Sequence, residues 1–166
     1  MRENYVKRTS ENVDLSFLTD RGFSDGIAAV IAARGVTADN AEQFFGGEMC
    51  FHSPFEMSGM EQAVELVNLA IENDGSILIC GDYDADGLSA SALLSLYFSE
   101  RGVYNKVLIP TRDEGYGLHA DAVVKEFGKH FYDLVITVDC GISNAEEVYK
   151  IKDELGVDVI VTDHHE

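Results

Sequence analysis

Ser76-Ile77-Leu78-Ile79-Cys80-Gly81-Asp82-Tyr83-Asp84-Ala85-Asp86-Gly87 decides the fold. Residues Ser76–Cys80 are an apolar run that reads as a buried β-strand. The acidic segment after it marks the strand's end. Two later stretches repeat this order. Leu134–Val138 runs into Asp139-Cys140-Gly141-Ile142-Ser143, and Val157–Val161 runs into Thr162-Asp163-His164-His165-Glu166. Lys106–Ile109 reads as one further strand. Parallel strands bring their C-terminal ends to one edge, where open α/β folds keep their sites. Carboxylates and imidazoles far apart in sequence then meet in space, as a divalent-metal site requires. That points to phosphoester chemistry.

The segments between these strands read as helices: 88–101, with Leu93, Leu94 and Leu96 toward the sheet, then 119–128, then 144–155 ended by Gly156. Strand–helix–strand order with buried strands predicts an α/β fold with a doubly wound, mostly parallel sheet. Upstream, Ala63, Val64, Val67, Ala70 and Ile71 recur at helical spacing over 59–73, and Asn73-Asp74-Gly75 ends that helix. Ser24 is placed to cap a helix over 25–34 that carries Ile27, Val30 and Ile31 on one face, with Gly35 as its stop. Thr37 is placed to cap a second helix through Phe45, closed by Gly46-Gly47. Residues 1–19 are polar and read as extended, and 48–58 read as a connecting loop. The expected organisation is a helical N-terminal region and loop over 1–58, followed by an α/β domain over 59–166. The sequence stops just past the fourth strand, so that domain is expected to be truncated at its C-terminal end.

At 166 residues and 46% hydrophobic content the chain can bury a core. No apolar run approaches the roughly 20 residues of a membrane span, and no signal-peptide core follows Met1. A cytoplasmic location is expected. Cys50, Cys80 and Cys140 are odd in number and lack CxxC spacing, which suits a reducing compartment. Twelve Lys and Arg against thirty Asp and Glu give a net charge of −18. That is no nucleic-acid footprint for the chain as a whole. Part of the acid is assigned to the metal site and the rest to a solvated surface.

Asp82, Asp84 and Asp86 alternate within five residues, and in a strand extension or a tight loop alternate side chains share a side. Such crowding raises each carboxyl's pKa unless a cation relieves it. Carboxylates suit Mg²⁺ or Mn²⁺, and an imidazole from His164 or His165 tilts the choice toward Mn²⁺. Gly81 and Gly87 are expected to permit a tight turn and the approach of a phosphate. The helix N-terminus beyond favours an anion. A calcium loop of the EF-hand type needs a Glu where Leu93 stands, and its loop does not follow a strand. Asp139 alone reads as a turn residue and His164-His165 alone as a chance pair. Their joint position at strand ends gives them weight.

The segments GDYDADG, VDCGIS and TDHHE resemble the first three motifs of the DHH phosphoesterase superfamily, and most of all its RecJ-type single-strand-specific exonucleases. Ser53-Pro54-Phe55, Met60–Val64 and Ile109–Leu118 extend the likeness, which covers about residues 20–166. The resemblance implies a two-metal hydrolase, using Mn²⁺ or Mg²⁺, that removes nucleotides from the 5′ end of single-stranded DNA. It implies Asp82, Asp84 and Asp86 as metal-site residues, with Asp84 and Asp86 the direct ligands of the three. Asp139 bridges both ions, His164 is a ligand, His165 contacts the scissile phosphate or a metal, and Asp163 orients the neighbouring histidine. Asp84, Asp139 and His165 are thus the expected catalytic set. Family members also carry a fourth-motif Asp and a second, DNA-binding domain, neither of which is in this sequence. The isolated chain is therefore expected to have little or no nuclease activity.

Weaker candidates lie in the Gly-rich loop after the second strand. Arg112 could pair a phosphate and Tyr116 could stack a base or line the channel, with His165 as a third substrate contact. Glu114 and His119 share that loop. Ser89, Ser91 and Ser143 read as helix caps, His52 and His130 as surface residues, and Cys80 and Cys140 as packing residues. Phe44, Phe45, Phe51 and Phe55 read as core or subdomain contacts. Two alternatives stay open: a DHH phosphodiesterase for short oligonucleotides, cyclic dinucleotides or nucleotide bisphosphates, and a non-catalytic scaffold relative. Single-stranded DNA is the implied partner, with no membrane. The residues name no protein partner in repair.

Overall fold

The structure is a computed structural model and describes residues 14–46 and 51–165. The lead-in up to Val13, together with Gly47, Cys50 and Glu166, lies outside the described residues. By compactness the chain divides into two units, Met1–His52 and Ser53–Glu166.

The first unit holds three short helices, α1 (Ser16–Thr19), α2 (Asp25–Ala32) and α3 (Ala41–Phe45). The residues expected to be extended thus include one helical turn. In α2 the buried residue is Ala28, while Ile27 and Val30 are exposed. Helix α3 begins four residues after Thr37. The Thr37 N–H donates to Asn40 Oδ1 at 2.8 Å and Asn40 Nδ2 donates to the Gly35 carbonyl at 3.0 Å, so Asn40 closes a turn first. Phe45 stacks on Phe23 at 5.3 Å and takes Phe44 edge-on. Phe51 is exposed, unlike the contact expected of it.

In the second unit a short 3₁₀ turn (Pro54–Glu56) leads into α4 (Met60–Glu72). Phe55 on that turn is also exposed. The remaining elements alternate: β1 (Ser76–Gly81), α5 (Ala85–Glu100), β2 (Tyr104–Leu108), α6 (Ala120–Phe127), β3 (Leu134–Val138), α7 (Ala145–Leu155) and β4 (Asp158–Thr162). The four strands are parallel in the order β2-β1-β3-β4. The chain leaves β1 for β2 on one side and returns to β3 on the other, so the order reverses between β1 and β3.

Strand alternation splits the core into two layers. Ile77, Ile79, Leu134, Ile136 and Val138 face one way, against Ala63, Leu66, Val67 and Ala70 of α4 and Ala90, Leu94 and Phe98 of α5. Leu78, Cys80 and Val135 face the other way, toward Val123 of α6 and Ile151 of α7. The predicted inward face of α5 is corrected on two residues. Leu93 and Leu96 are exposed at 69% and 65%, and the buried stripe is Gly87, Ser91 and Phe98 with Leu94 beside it. The cause is where the helix begins. Asp84 caps it, so it starts three residues earlier than expected and its inward face is fixed from Gly87 onward. No helix among the described residues is long and apolar enough to cross a membrane.

Candidate metal centre

Register brings the three acidic segments level. Gly81 pairs with Val138, and Val138 pairs with Thr162, so Asp82, Asp139 and Asp163 leave the sheet side by side. They do so where strand order reverses, the position at which open α/β sheets bind ligands. The Asp139 N–H donates to the Thr162 carbonyl at 3.0 Å, joining the second and third segments at their start.

The first segment does not extend the strand but turns tightly into α5, and its three carboxylates differ in burial. Asp82 is buried at 1% exposure, with its Oδ1 unpaired. Asp84 Oδ1 accepts the Asp86 and Gly87 N–H groups at 2.9 and 3.0 Å and so caps α5. Asp86 is exposed in the first helical turn. Gly87 makes this possible by close approach. A Cβ there would stand 2.5 Å from the Asp82 carbonyl oxygen and 2.6 Å from its nitrogen. A Cβ on Gly81 would stand 2.0 Å from Ser91 Oγ. These two glycines let helix and strand touch. Ser91 is therefore a buried mid-helix residue without a hydrogen bond, not a cap. Ser89 is exposed in the same helix, and Ser143 precedes the Asn144 N-cap position of α7 without capping it.

Asp139 sits in the left-handed region at φ 59°, a conformation Asp tolerates better than most residues. The turn is braced from below. Thr137 Oγ1 donates to the Cys140 carbonyl and Thr162 Oγ1 to the Thr137 carbonyl, each at 2.7 Å. Asp139 is 8% exposed, and its Oδ2 is buried without a partner. Its other oxygen lies 3.0 Å from His164 Nε2. The Asp84 charge acts on Asp139. Burial first, and then the neighbouring Asp84 charge, push the Asp139 pKa up. The Gly87 N–H chiefly holds Asp84 down despite a desolvation penalty. Neighbouring carboxylates raise one another's pKa, and a cation beside them relieves that.

In the third segment Asp163 acts as a clamp. Its Oδ2 accepts the Ile142 N–H at 3.0 Å, and its Oδ1 accepts the His164 and His165 N–H groups at 2.7 and 3.1 Å. The same Oδ1 lies 2.7 Å from His165 Nδ1. Burial opposes the Asp163 charge, but the N–H groups of Ile142, His165 and His164 with the His165 ring outweigh it and bring the carboxyl down to about 2. Asp163 in turn raises the His165 pKa.

Ligand-type atoms of Asp139, His164 and His165 all lie within 4.8 Å of one another. The fit to a divalent cation rests on the donors: clustered carboxylate and imidazole oxygen and nitrogen atoms, one orphaned buried oxygen on Asp139 and another on Asp82. Asp86 is near enough for its charge to act on Asp139. The cysteines beside the site are closed to metal chemistry. Both are buried, and burial drives both thiol pKa values up, Cys140 to about 12.

The loop after β2 meets the site through one side chain. Tyr116 Oη lies 3.0 Å from the Asp139 carbonyl and 2.8 Å from His165 Nδ1. Arg112 lies over the Tyr83 ring at 4.9 Å and makes no ion pair among the described residues. Glu114 and His119 are structural here. Glu114 Oε2 accepts the Thr111 N–H and hydroxyl, and His119 Nε2 lies 3.2 Å from the Gly115 carbonyl. His130 is exposed and stacks on Tyr104 and Tyr132 at the opposite end of the sheet. The Arg112–Tyr83 stack and the Tyr116 contacts follow from tertiary placement of the loop, for which the sequence carries no local signal.

The profile of the DHH family, N-terminal domain, matches residues 76–166. The single-stranded-DNA-specific exonuclease RecJ of Bacillus subtilis is 39% identical over 145 residues, 84% of this chain and 18% of that protein. The Escherichia coli protein of the same name is 38% identical over 137 residues, 81% of this chain and 23% of its own length. A crystal structure of exonuclease RecJ bound to manganese superposes with a TM-score of 0.60 at 39% identity, covering 66% of this chain and 28% of that one. The structure of RecJ in complex with Mn²⁺ from Thermus thermophilus gives a TM-score of 0.60 at 31% identity, covering 82% of this chain and 20% of that one. The chain thus spans about a fifth of the length of the curated relatives it matches.

Proposed function

Since this chain belongs to the DHH family, we propose that it forms the metal-holding part of an exonuclease that shortens single-stranded DNA from its 5′ end. The observation that carries this is the Asp139–His164–His165 cluster with the orphaned Asp139 Oδ2, joined to the RecJ likeness. Asp139, His164 and Asp84 hold the cation pair, with Asp82 and Asp86 beside them, and Mn²⁺ is the preferred ion because imidazole takes part. Divalent ions held there would supply Lewis acidity for phosphodiester hydrolysis. The chain's own part is to orient and to neutralise. Asp163 keeps His165 facing the scissile phosphate. Arg112, stacked on Tyr83 and unpaired, offers a planar cation to a DNA phosphate within an otherwise acidic chain. Grip on the strand therefore comes from a few local cations. A cytoplasmic location is part of the same reading.

Digestion of 5′-labelled and 3′-labelled single strands by the complete gene product tests this. Release of label from the 5′ end, dependent on Mn²⁺ and lost in Asp139→Asn, is expected. Faster hydrolysis of dinucleotides than of long strands would reassign the site to the short-substrate phosphodiesterases. Binding of Mn²⁺ with no hydrolysis of either would leave the scaffold reading.

A further inference from the structure

Tyr116 was expected to meet substrate, yet its hydroxyl faces inward. It touches groups from two different strand ends, the backbone carbonyl after β3 and the imidazole after β4. The loop that carries it is built to hold it there. Gly115 and Gly117 flank it at φ 92° and 100°, backbone that a side chain would strain. Gly117 backs onto Asn144, where a Cβ would come 2.9 Å from Oδ1, and that oxygen accepts the Leu118 N–H at 3.2 Å. Glu114 and His119 close the loop from either side.

A proton count then fixes roles. Tyr116 has one proton, and the Asp139 carbonyl can only accept, so the hydroxyl donates there. Its lone pairs are left toward the His165 ring, which lies edge-on at 5.4 Å and 79°. Asp163 Oδ1 is an ionised acceptor on the same ring nitrogen. Both neighbours of Nδ1 call for a proton on it, which leaves Nε2, 3.4 Å from the same hydroxyl, as the acceptor nitrogen.

We propose that Tyr116 is a positioning residue of this centre: one hydroxyl ties the left-handed Asp139 backbone to the His165 ring and, with Asp163, fixes His165 with its proton on Nδ1. The inference rests on the metal-site reading above and adds a residue to it.

The test is Tyr116→Phe in the complete gene product, which keeps the ring and removes the tie. Mn²⁺ affinity measured without DNA is expected to fall about 10–100-fold, as for other groups that orient metal ligands. On single-stranded DNA, kcat is expected to fall while KM changes less than about twofold. Nitrogen-15 spectra of the metal-free wild type are expected to show His165 protonated at Nδ1. The inference is overturned if Tyr116→Phe binds Mn²⁺ and turns over like wild type while Tyr116→Ala raises KM alone, the pattern of a base-stacking platform. It is overturned equally if wild-type His165 carries its proton on Nε2, a result that needs no variant to fold. Failure of the wild type to bind Mn²⁺ would instead remove the metal-site reading itself.

Discussion

The two ends of one sheet treat their acids in opposite ways. At the N-terminal end, the exposed Asp133 is tied to Ser76. Its Oδ2 accepts the Ser76 N–H at 2.7 Å and the Ser76 hydroxyl at 3.1 Å, and its own N–H returns to the Ser76 carbonyl at 2.8 Å. Nearby, Glu126 takes the buried Tyr132 hydroxyl at 3.4 Å and Lys129 at 2.6 Å. At the C-terminal end, Asp82 and Asp139 each keep a buried oxygen with no partner, and Asp139 sits in the left-handed region. Buried polar groups are normally paired, and an orphan there weakens the fold. The first end is built for stability. The second carries the chemistry, and its acids are left for something outside the chain.

Substitutions at the two ends should therefore separate activity from stability. The largest effect expected is Asp139→Asn. If Asp139 is a metal ligand as proposed, its loss is expected to remove about 4 kcal/mol of transition-state stabilisation, roughly a thousandfold in kcat. Asn tolerates the same backbone region, so the melting temperature should hold or rise. A large drop in melting temperature in a thermal scan would erase the contrast. Asp133→Ala should do the reverse. It strands the Ser76 N–H in a buried setting, at about 2–3 kcal/mol in urea unfolding, and leaves Mn²⁺ affinity as it was.

Asp163 sharpens the comparison because it stands at the chemical end yet is fully paired. Its folded pKa of about 2 lies below the unfolded value. The stability it contributes is present above about pH 4 and is lost as pH falls toward 2, about 2 kcal/mol in all. Asp163→Asn should flatten that acid limb in unfolding measured between pH 5 and 2. The smallest effect expected is Ser91→Ala. Its hydroxyl is buried and unpaired, so removal should leave stability within about 0.5 kcal/mol or raise it slightly. A loss above 2 kcal/mol would mean that Ser91 has a partner such as an ordered water.

Strand positions were legible because apolar runs such as Ser76–Cys80 and Leu134–Val138 are continuous and end in glycine or aspartate. They emerged as β1 and β3 with ends shifted by at most one residue. The parallel, doubly wound sheet followed from strand–helix alternation, and the family followed from the three motifs. The geometry of the first motif was not legible. Alternating Asp82, Asp84 and Asp86 fit an extended segment, but Asp84 is also a strong helix N-cap, and the cap prevailed. That choice buried Asp82, exposed Asp86 and turned Leu93 and Leu96 outward. The hydroxyl contacts of Tyr116 were not legible for a different reason. A tyrosine between two glycines says that a loop bends, and only the fold says which way its hydroxyl faces.

The claim that the C-terminal rim gathers its carboxylates and imidazoles to hold a cation is tested most directly by Mn²⁺ binding to metal-free protein near pH 7.5, read from loss of the free-ion electron paramagnetic resonance signal. Saturable uptake by the wild type that disappears in Asp139→Asn and persists in Asp133→Ala is the predicted result. Equal uptake by Asp139→Asn and wild type would contradict it.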